Sequence, residues 1–171
     1  MYDALCPARL ASDAVYLGIL TARGVKPLSR LEYDAGSDIL DCLRAMGLHI
    51  AAVTRVARSG AQVRHTVFSR DPQFVQCYRA DFDGRLLRGE TRAVIRREAH
   101  YFGYPACCAE AYCCAPHMPN DLTAEEQSLL FHHACPGCRV TPVLIPRYRA
   151  ALASVPLFMA RAEDDRLSCV R

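Results

Sequence analysis

The spacing of apolar residues changes along the chain between helical and strand-like periods, and this pattern divides it into elements. Residues 11–21 are apolar at near-helical spacing, with Ser12 and Asp13 as capping side chains and Gly24 as the stop. Residues 28–33 alternate and predict a short strand. Ser37 or Asp38 opens a second helix that runs through Met46, with Ile39, Leu40, Leu43 and Met46 on its buried side and Gly47 ending it. Three β-rich runs follow, at 50–57, 61–68 and 74–80. Ser59-Gly60 predicts a hairpin between the first two, and Asp71-Pro72 predicts a turn before the third. An antiparallel meander is the simplest way to connect them.

From Asp83-Gly84 onward the period becomes helical. On a wheel of about 100° per residue, Leu86, Leu87, Val94 and Tyr101 share one arc, and Arg85, Arg88, Arg92 and Arg96 share the opposite one. Shorter helices are predicted at 105–114, 123–133 and 147–155, the second opened by a capping box of Thr123 and Glu126. The polar residues 161–171 are expected to fray. No internal repeat, low-complexity tract or linker divides the sequence, so it predicts one domain over residues 1–171. The expected class is α+β: a small antiparallel sheet formed mainly by residues 50–80, packed by helices from both ends, with a cysteine-rich helical C-terminal half centred on 100–142.

Composition adds a question about sulfur. A chain of 171 residues, 51% hydrophobic and 23% charged, can bury a core without staples, so its 10 cysteines need another reason. Residues 1–10 carry neither a basic lead nor an apolar run, and no stretch approaches the ~18 apolar residues of a membrane span. The expectation is a cytoplasmic protein with no membrane partner, in which cysteine-dense segments are metal ligands or reactive thiols rather than disulfides. The net charge of +3 does not by itself imply nucleic acid. The 21 basic residues are Lys26 and 20 arginines. The arginine arc reads either as a solvated face opposite a core stripe or as a basic ridge. The absence of interleaved aromatic residues argues against nucleic acid, and leaves Arg88 and Arg92, with Arg79, as candidates to bind a small anionic substrate.

The chemistry concentrates in two segments. Cys135-Pro-Gly-Cys138 has the form of a metal knuckle, two thiolates three residues apart across a tight turn. A redox dithiol is the alternative, weakened because the pair follows a predicted helix instead of opening one. In Gly103-Tyr-Pro-Ala-Cys107-Cys108, Pro105 suits the first helical position and puts both cysteines in the first turn, where free amides and the helix dipole favour thiolate. Cys107 and Cys114 share a face but stand about 10 Å apart along the axis, too far to hold one ion. Cys6, Cys42, Cys77, Cys113 and Cys169 read as small buried apolar residues. His132, three residues before Cys135, has a spacing compatible with shared ligation, or is a satisfied helix-terminal histidine. His100 and His117 are weaker candidates, and His65 in its strand reads as structural.

The run Gly-Tyr-Pro-x-Cys-Cys at 103–108, a helical spacer and His-x-x-Cys-x-x-Cys at 132–138 together resemble an uncharacterised archaeal and bacterial domain family marked by its GYPxCC motif. The resemblance covers residues 93–142 and implies that these cysteines form a unit. The family often spaces its second pair one residue wider, and Cys113-Cys114 is not part of its pattern. The sequence thus points to a metal- or iron-sulfur-binding protein with Cys107, Cys108, Cys135 and Cys138 as ligands, with or without His132. Zinc and an iron-sulfur cluster both suit four thiolates. As an enzyme it would act on a small anionic or sulfur-containing substrate, with Cys107 or Cys108 as the reactive thiolate. A metal-independent thiol oxidoreductase or cysteine-nucleophile enzyme is one alternative. A zinc-stabilised binding module with a basic arginine face is the other.

Overall fold

The structure, a computed structural model, describes residues 7–57, 59–86 and 91–158, with side-chain surroundings from residue 12 onward. Among them the chain runs α1 (Pro7–Ala22), β1 (Leu28–Leu31), α2 (Ser37–Ala45), β2 (His49–Val56), β3 (Gln62–Ser69), α3 (Pro72–Phe82), α4 (Arg92–Phe102), α5 (Ala106–Cys114), α6 (Ala124–Ser128) and α7 (Thr141–Ala153). The class is α+β, as the sequence predicts. The sheet is antiparallel in the order β1-β3-β2, with Leu28 opposite Ser69 and His49 also opposite Ser69 on the other side.

The central strand β3 divides the core. Because side chains alternate across a strand, Val67 faces one side and Phe68 the other. Val67 joins Leu28, Val53, Val75, Tyr78, Phe82, Tyr101 and Phe102, the interface with α3 and α4. Phe68 joins Leu17, Leu31, Leu43 and Leu48, the interface with α1 and α2. Beyond α1, its Val15, Tyr16, Ile19 and Leu20 meet Ile145, Tyr148 and Ala151 of α7. Tyr16 ties this layer to the loop after α6 by donating its hydroxyl to the Leu129 carbonyl at 3.0 Å. No helix among the described residues is long and apolar enough to cross a membrane.

Several predicted elements shift. Residues 74–80 are not a third strand of a meander. They lie in α3, where the Asp71 side chain accepts from the Gln73 amide at 2.9 Å and Pro72 takes the first turn. Asp71-Pro72 is therefore an N-cap with proline behind it, and Val75, Tyr78 and Phe82 are buried at helical spacing. The third strand is β1, which precedes β2 in the chain and takes the place beside β3 that a meander would give to 74–80. The long helix from residue 85 is also shorter: Thr91 caps α4, and Leu86, 58% exposed, makes a parallel bridge to Val56. Arg85 thus precedes the helix, and Arg88 and Leu87 lie outside the described residues. Ser12 and Asp13 are inside α1, which starts at Pro7. The capping box of Thr123 and Glu126 forms, but α6 spans only Ala124–Ser128. Helix α7 begins at Thr141, six residues before the predicted 147, because Pro142 occupies its first turn and Pro146 is accommodated within it.

Candidate metal centre

Gly103 positions the first half of the site. It closes α4 in the left-handed region at φ 69°, and its missing side chain lets Pro27 approach: a Cβ there would stand 2.5 Å from Pro27 Cδ. The chain then turns directly into α5. Pro105 is the N-cap of that helix, one position earlier than expected, and its carbonyl accepts from the Cys108 amide at 2.9 Å. Cys107 is consequently exposed and Cys108 buried.

The second half is the turn at 135–138. The Cys138 amide donates to the Cys135 carbonyl at 3.2 Å, Gly137 adopts φ 64°, and the Gly137 amide donates to Asp121 Oδ2 at 2.9 Å. The loop leading in is held by Gln127, whose Nε2 donates to the His132 carbonyl at 2.8 Å and whose Oε1 accepts from the Ala134 amide at 3.2 Å. The pair follows α6, as the sequence reading has it, and ends three residues before α7 begins at Thr141, so it opens neither helix.

These halves meet. The sulfurs of Cys107, Cys108, Cys135 and Cys138 all lie within 4.8 Å of one another. Cys108 Sγ is 3.5 Å from that of Cys138 and 3.8 Å from that of Cys135, and Cys107 Sγ is 3.8 Å from that of Cys138. Four thiolates each about 2.3 Å from one tetrahedral ion stand about 3.8 Å apart. The arrangement therefore fits a single ion bound by four sulfurs.

Local electrostatics divide the thiols. Burial tends to raise the Cys138 pKa. That is outweighed by the hydrogen bond between Cys138 and the Thr141 hydroxyl at 3.2 Å, by that from the Thr141 amide at 3.3 Å and by that from the Val140 amide, which together bring it down to about 6. Burial, then the neighbouring sulfurs of Cys107 and Cys108, push Cys135 up to about 12, and burial raises Cys108 despite a hydrogen bond from the Cys135 amide at 3.4 Å. A cation held by all four sulfurs would bind them as thiolates, with release of any protons they carry.

His132 stands outside the four-sulfur group. Its Nε2 is 3.1 Å from Thr141 Oγ1, one hydroxyl away from the sulfurs, and its ring lies 5.0 Å from that of Tyr104. Burial, with Lys26 and His133 adding to it, lowers its pKa to about 4. His133 turns elsewhere, with Nε2 2.7 Å from the Met118 carbonyl oxygen. Thr141 is the residue that sequence reasoning missed. It is fully buried and touches Cys108, Cys138 and His132, and the signal for it was Pro142, which marks a helix start.

The remaining candidates are dispersed. Arg79 and Arg92 are exposed on α3 and α4, while Arg96 of the predicted arc is ion-paired with Glu110 and its neighbour Arg97 with Asp81. Cys77 is exposed instead of buried, Cys42 is partly buried against the α1 and α7 layer, and Cys6 and Cys169 lie outside the described residues. Cys113 is partly buried and Cys114 exposed, both outside the sulfur group. A cavity of about 570 Å³ opens instead beside Cys108, lined among others by Arg30, Glu98, Tyr104, Tyr112 and His132. Its polar wall is built on Glu98, which accepts from Arg30, from Arg55 at 3.1 Å and from the Tyr78 hydroxyl at 2.6 Å. No protein-family model, curated protein or solved structure matches the chain.

Proposed function

We propose that the protein holds one zinc ion through Cys107, Cys108, Cys135 and Cys138, and that this closed centre forms the back of a small-molecule cavity. The observation that carries the reading is the mutual spacing of the four sulfurs, 3.5 to 3.8 Å where they touch. That spacing favours one ion over an iron-sulfur cluster, whose thiolates are spread over two or more irons. Four thiolates would leave no open position, which is the form of a structural zinc site. What the GYPxCC resemblance implies, that the cysteines of the two elements act together, points the same way. Cys108 belongs both to the sulfur group and to the cavity wall, so folding of the centre and shape of the cavity are coupled. A small molecule with both polar and aromatic character suits walls that combine Arg30 and Glu98 with Tyr104 and Tyr112.

Elemental analysis and absorbance of anaerobically purified protein test this. Colourless protein with stoichiometric zinc is expected, and the double variant Cys135→Ala, Cys138→Ala should hold none. Visible charge-transfer bands would turn the reading to a cluster. Metal-free protein with four titratable thiols would replace it with thiol chemistry. Brief iodoacetamide treatment separates a closed centre from a working one: Cys107, although exposed, should stay unmodified until metal is removed.

A further inference from the structure

Lys26 is the only lysine in a chain that supplies its other basic side chains as arginine, and it is 2% exposed. It lies between α1 and β1. Its Nζ donates to the Phe102 carbonyl at 2.9 Å and sits 4.5 Å from the centre of the Tyr104 ring and 5.7 Å from those of Phe102 and Phe131. No carboxylate pairs with it among the described residues. It lines a second cavity of about 310 Å³, and that cavity shares Arg30, Glu32, Phe102, Tyr104 and Phe131 with the one beside Cys108.

A buried ammonium without a counter-ion is costly, and the aromatic rings offset only part of that cost. Burial accordingly lowers the Lys26 pKa to about 7, so free amine is abundant at neutral pH. Arg30 lies over the same Phe102 ring, 5.1 Å from its centre. One side of its guanidinium is held by the half-buried Glu98, and the other pairs at 2.8 Å with Glu32, whose side chain is 73% exposed. An exposed carboxylate in that position can be exchanged for one carried by a ligand.

We propose that Lys26 is a carbonyl-capturing amine that forms an imine with a small 2-oxo acid, whose carboxylate displaces Glu32 from Arg30. The amine lone pair forms the carbon–nitrogen bond to the carbonyl carbon. The carbonyl oxygen departs with the two amine protons as water, so the step needs no oxidant or reductant. Burial away from water disfavours the ammonium form, and Arg30 selects the acid. This site stands on its own residues and does not depend on whether the four cysteines hold metal.

Glyoxylate and propanal serve as probes, each with cyanoborohydride at neutral pH, followed by peptide mass mapping of the full-length protein. As the sole lysine, with a free-amine fraction on the order of a thousandfold above that of an ordinary lysine, Lys26 should take up the reduced adduct at least as fast as an α-amino group does. Glyoxylate should label it faster than propanal at equal concentration. Lys26→Met should abolish the adduct, and Arg30→Gln should remove the preference for glyoxylate. Labelling of Lys26 only after the wild-type protein is unfolded in urea would overturn the amine's role. Equal rates for the two aldehydes on folded wild-type protein would overturn the 2-oxo acid assignment.

Discussion

His65 and Cys108 show how one position on an element decides a residue's chemistry. His65 lies on the α3 and α4 face of β3, opposite Val53, and is 2% exposed. Burial, then the nearby Arg30 and Arg55, lower its pKa to about 4 against attraction from Glu32 and Glu98. Its folded-state pKa therefore lies below the unfolded value of about 6.5, and between these values the unfolded chain binds the extra proton. Stability is expected to fall as pH drops from about 6.5 to about 4, by on the order of 2 kcal/mol from this group. Urea denaturation across that range checks it, and His65→Gln should flatten the slope. For the sulfur group, alanine at Cys107, Cys108, Cys135 or Cys138 should each lower metal content. The stability loss should be largest at Cys108, the buried member, with metal content read by elemental analysis and stability by urea titration.

At the scale of elements, the site depends on two helix boundaries. The α4 to α5 junction is set by Gly103, where both the positive φ and the 2.5 Å approach of Pro27 exclude a side chain. Gly103→Ala should cost at least about 2 kcal/mol and lower metal occupancy by misplacing Cys107 and Cys108. Gly47→Ala is a control: it also has positive φ, at 75°, but no atom within 4 Å of the added Cβ, so it should cost less and leave metal content unchanged. The other boundary is the start of α7, where Thr141 presents hydroxyl and amide to Cys138. Thr141→Val keeps the shape and the amide but removes the hydroxyl. It should raise the Cys138 pKa, read in the metal-free protein as slower alkylation near pH 7, and free the His132 ring from its hydroxyl partner.

The whole molecule distributes stability unevenly. The sheet has helices on both faces, with Val67 and Phe68 fully buried between them. Between α5 and α7 the only helix is the five-residue α6, and the segment is held by Tyr16, Gln127, Asn120 and the sulfur group. Metal removal should therefore loosen this segment first. Hydrogen exchange before and after chelation should show amides of 106–109 and 135–141 accelerating by more than about tenfold, while those of β2 and β3 stay protected. Loss of protection in the sheet at the same metal concentration would mean that the centre supports the global fold.

The sequence by itself determined what depends on local chemistry: the β2–β3 hairpin, α2 with Gly47 behind it, the capping box at Thr123 and the two thiol pairs on their turns. Each follows from residues within a few positions of one another. It misassigned 74–80 because β-favouring side chains there outnumbered the one decisive signal, the Asp71-Pro72 cap. It merged two structures around residue 86 because a helical wheel cannot register that Leu86 bridges Val56, 30 positions earlier. The sequence joined Cys107 and Cys108 with Cys135 and Cys138 as one ligand set, but only tertiary structure fixed the spacing of their sulfurs and placed Thr141 among them. Tertiary structure also took Lys26 out of solvent, and Arg30 and Glu98 in large part, while Arg79 and Arg92 stay exposed. The physical reason is that burial is a property of packed layers. Which charge loses its water, and which cavity it then faces, is decided only when distant segments close around it.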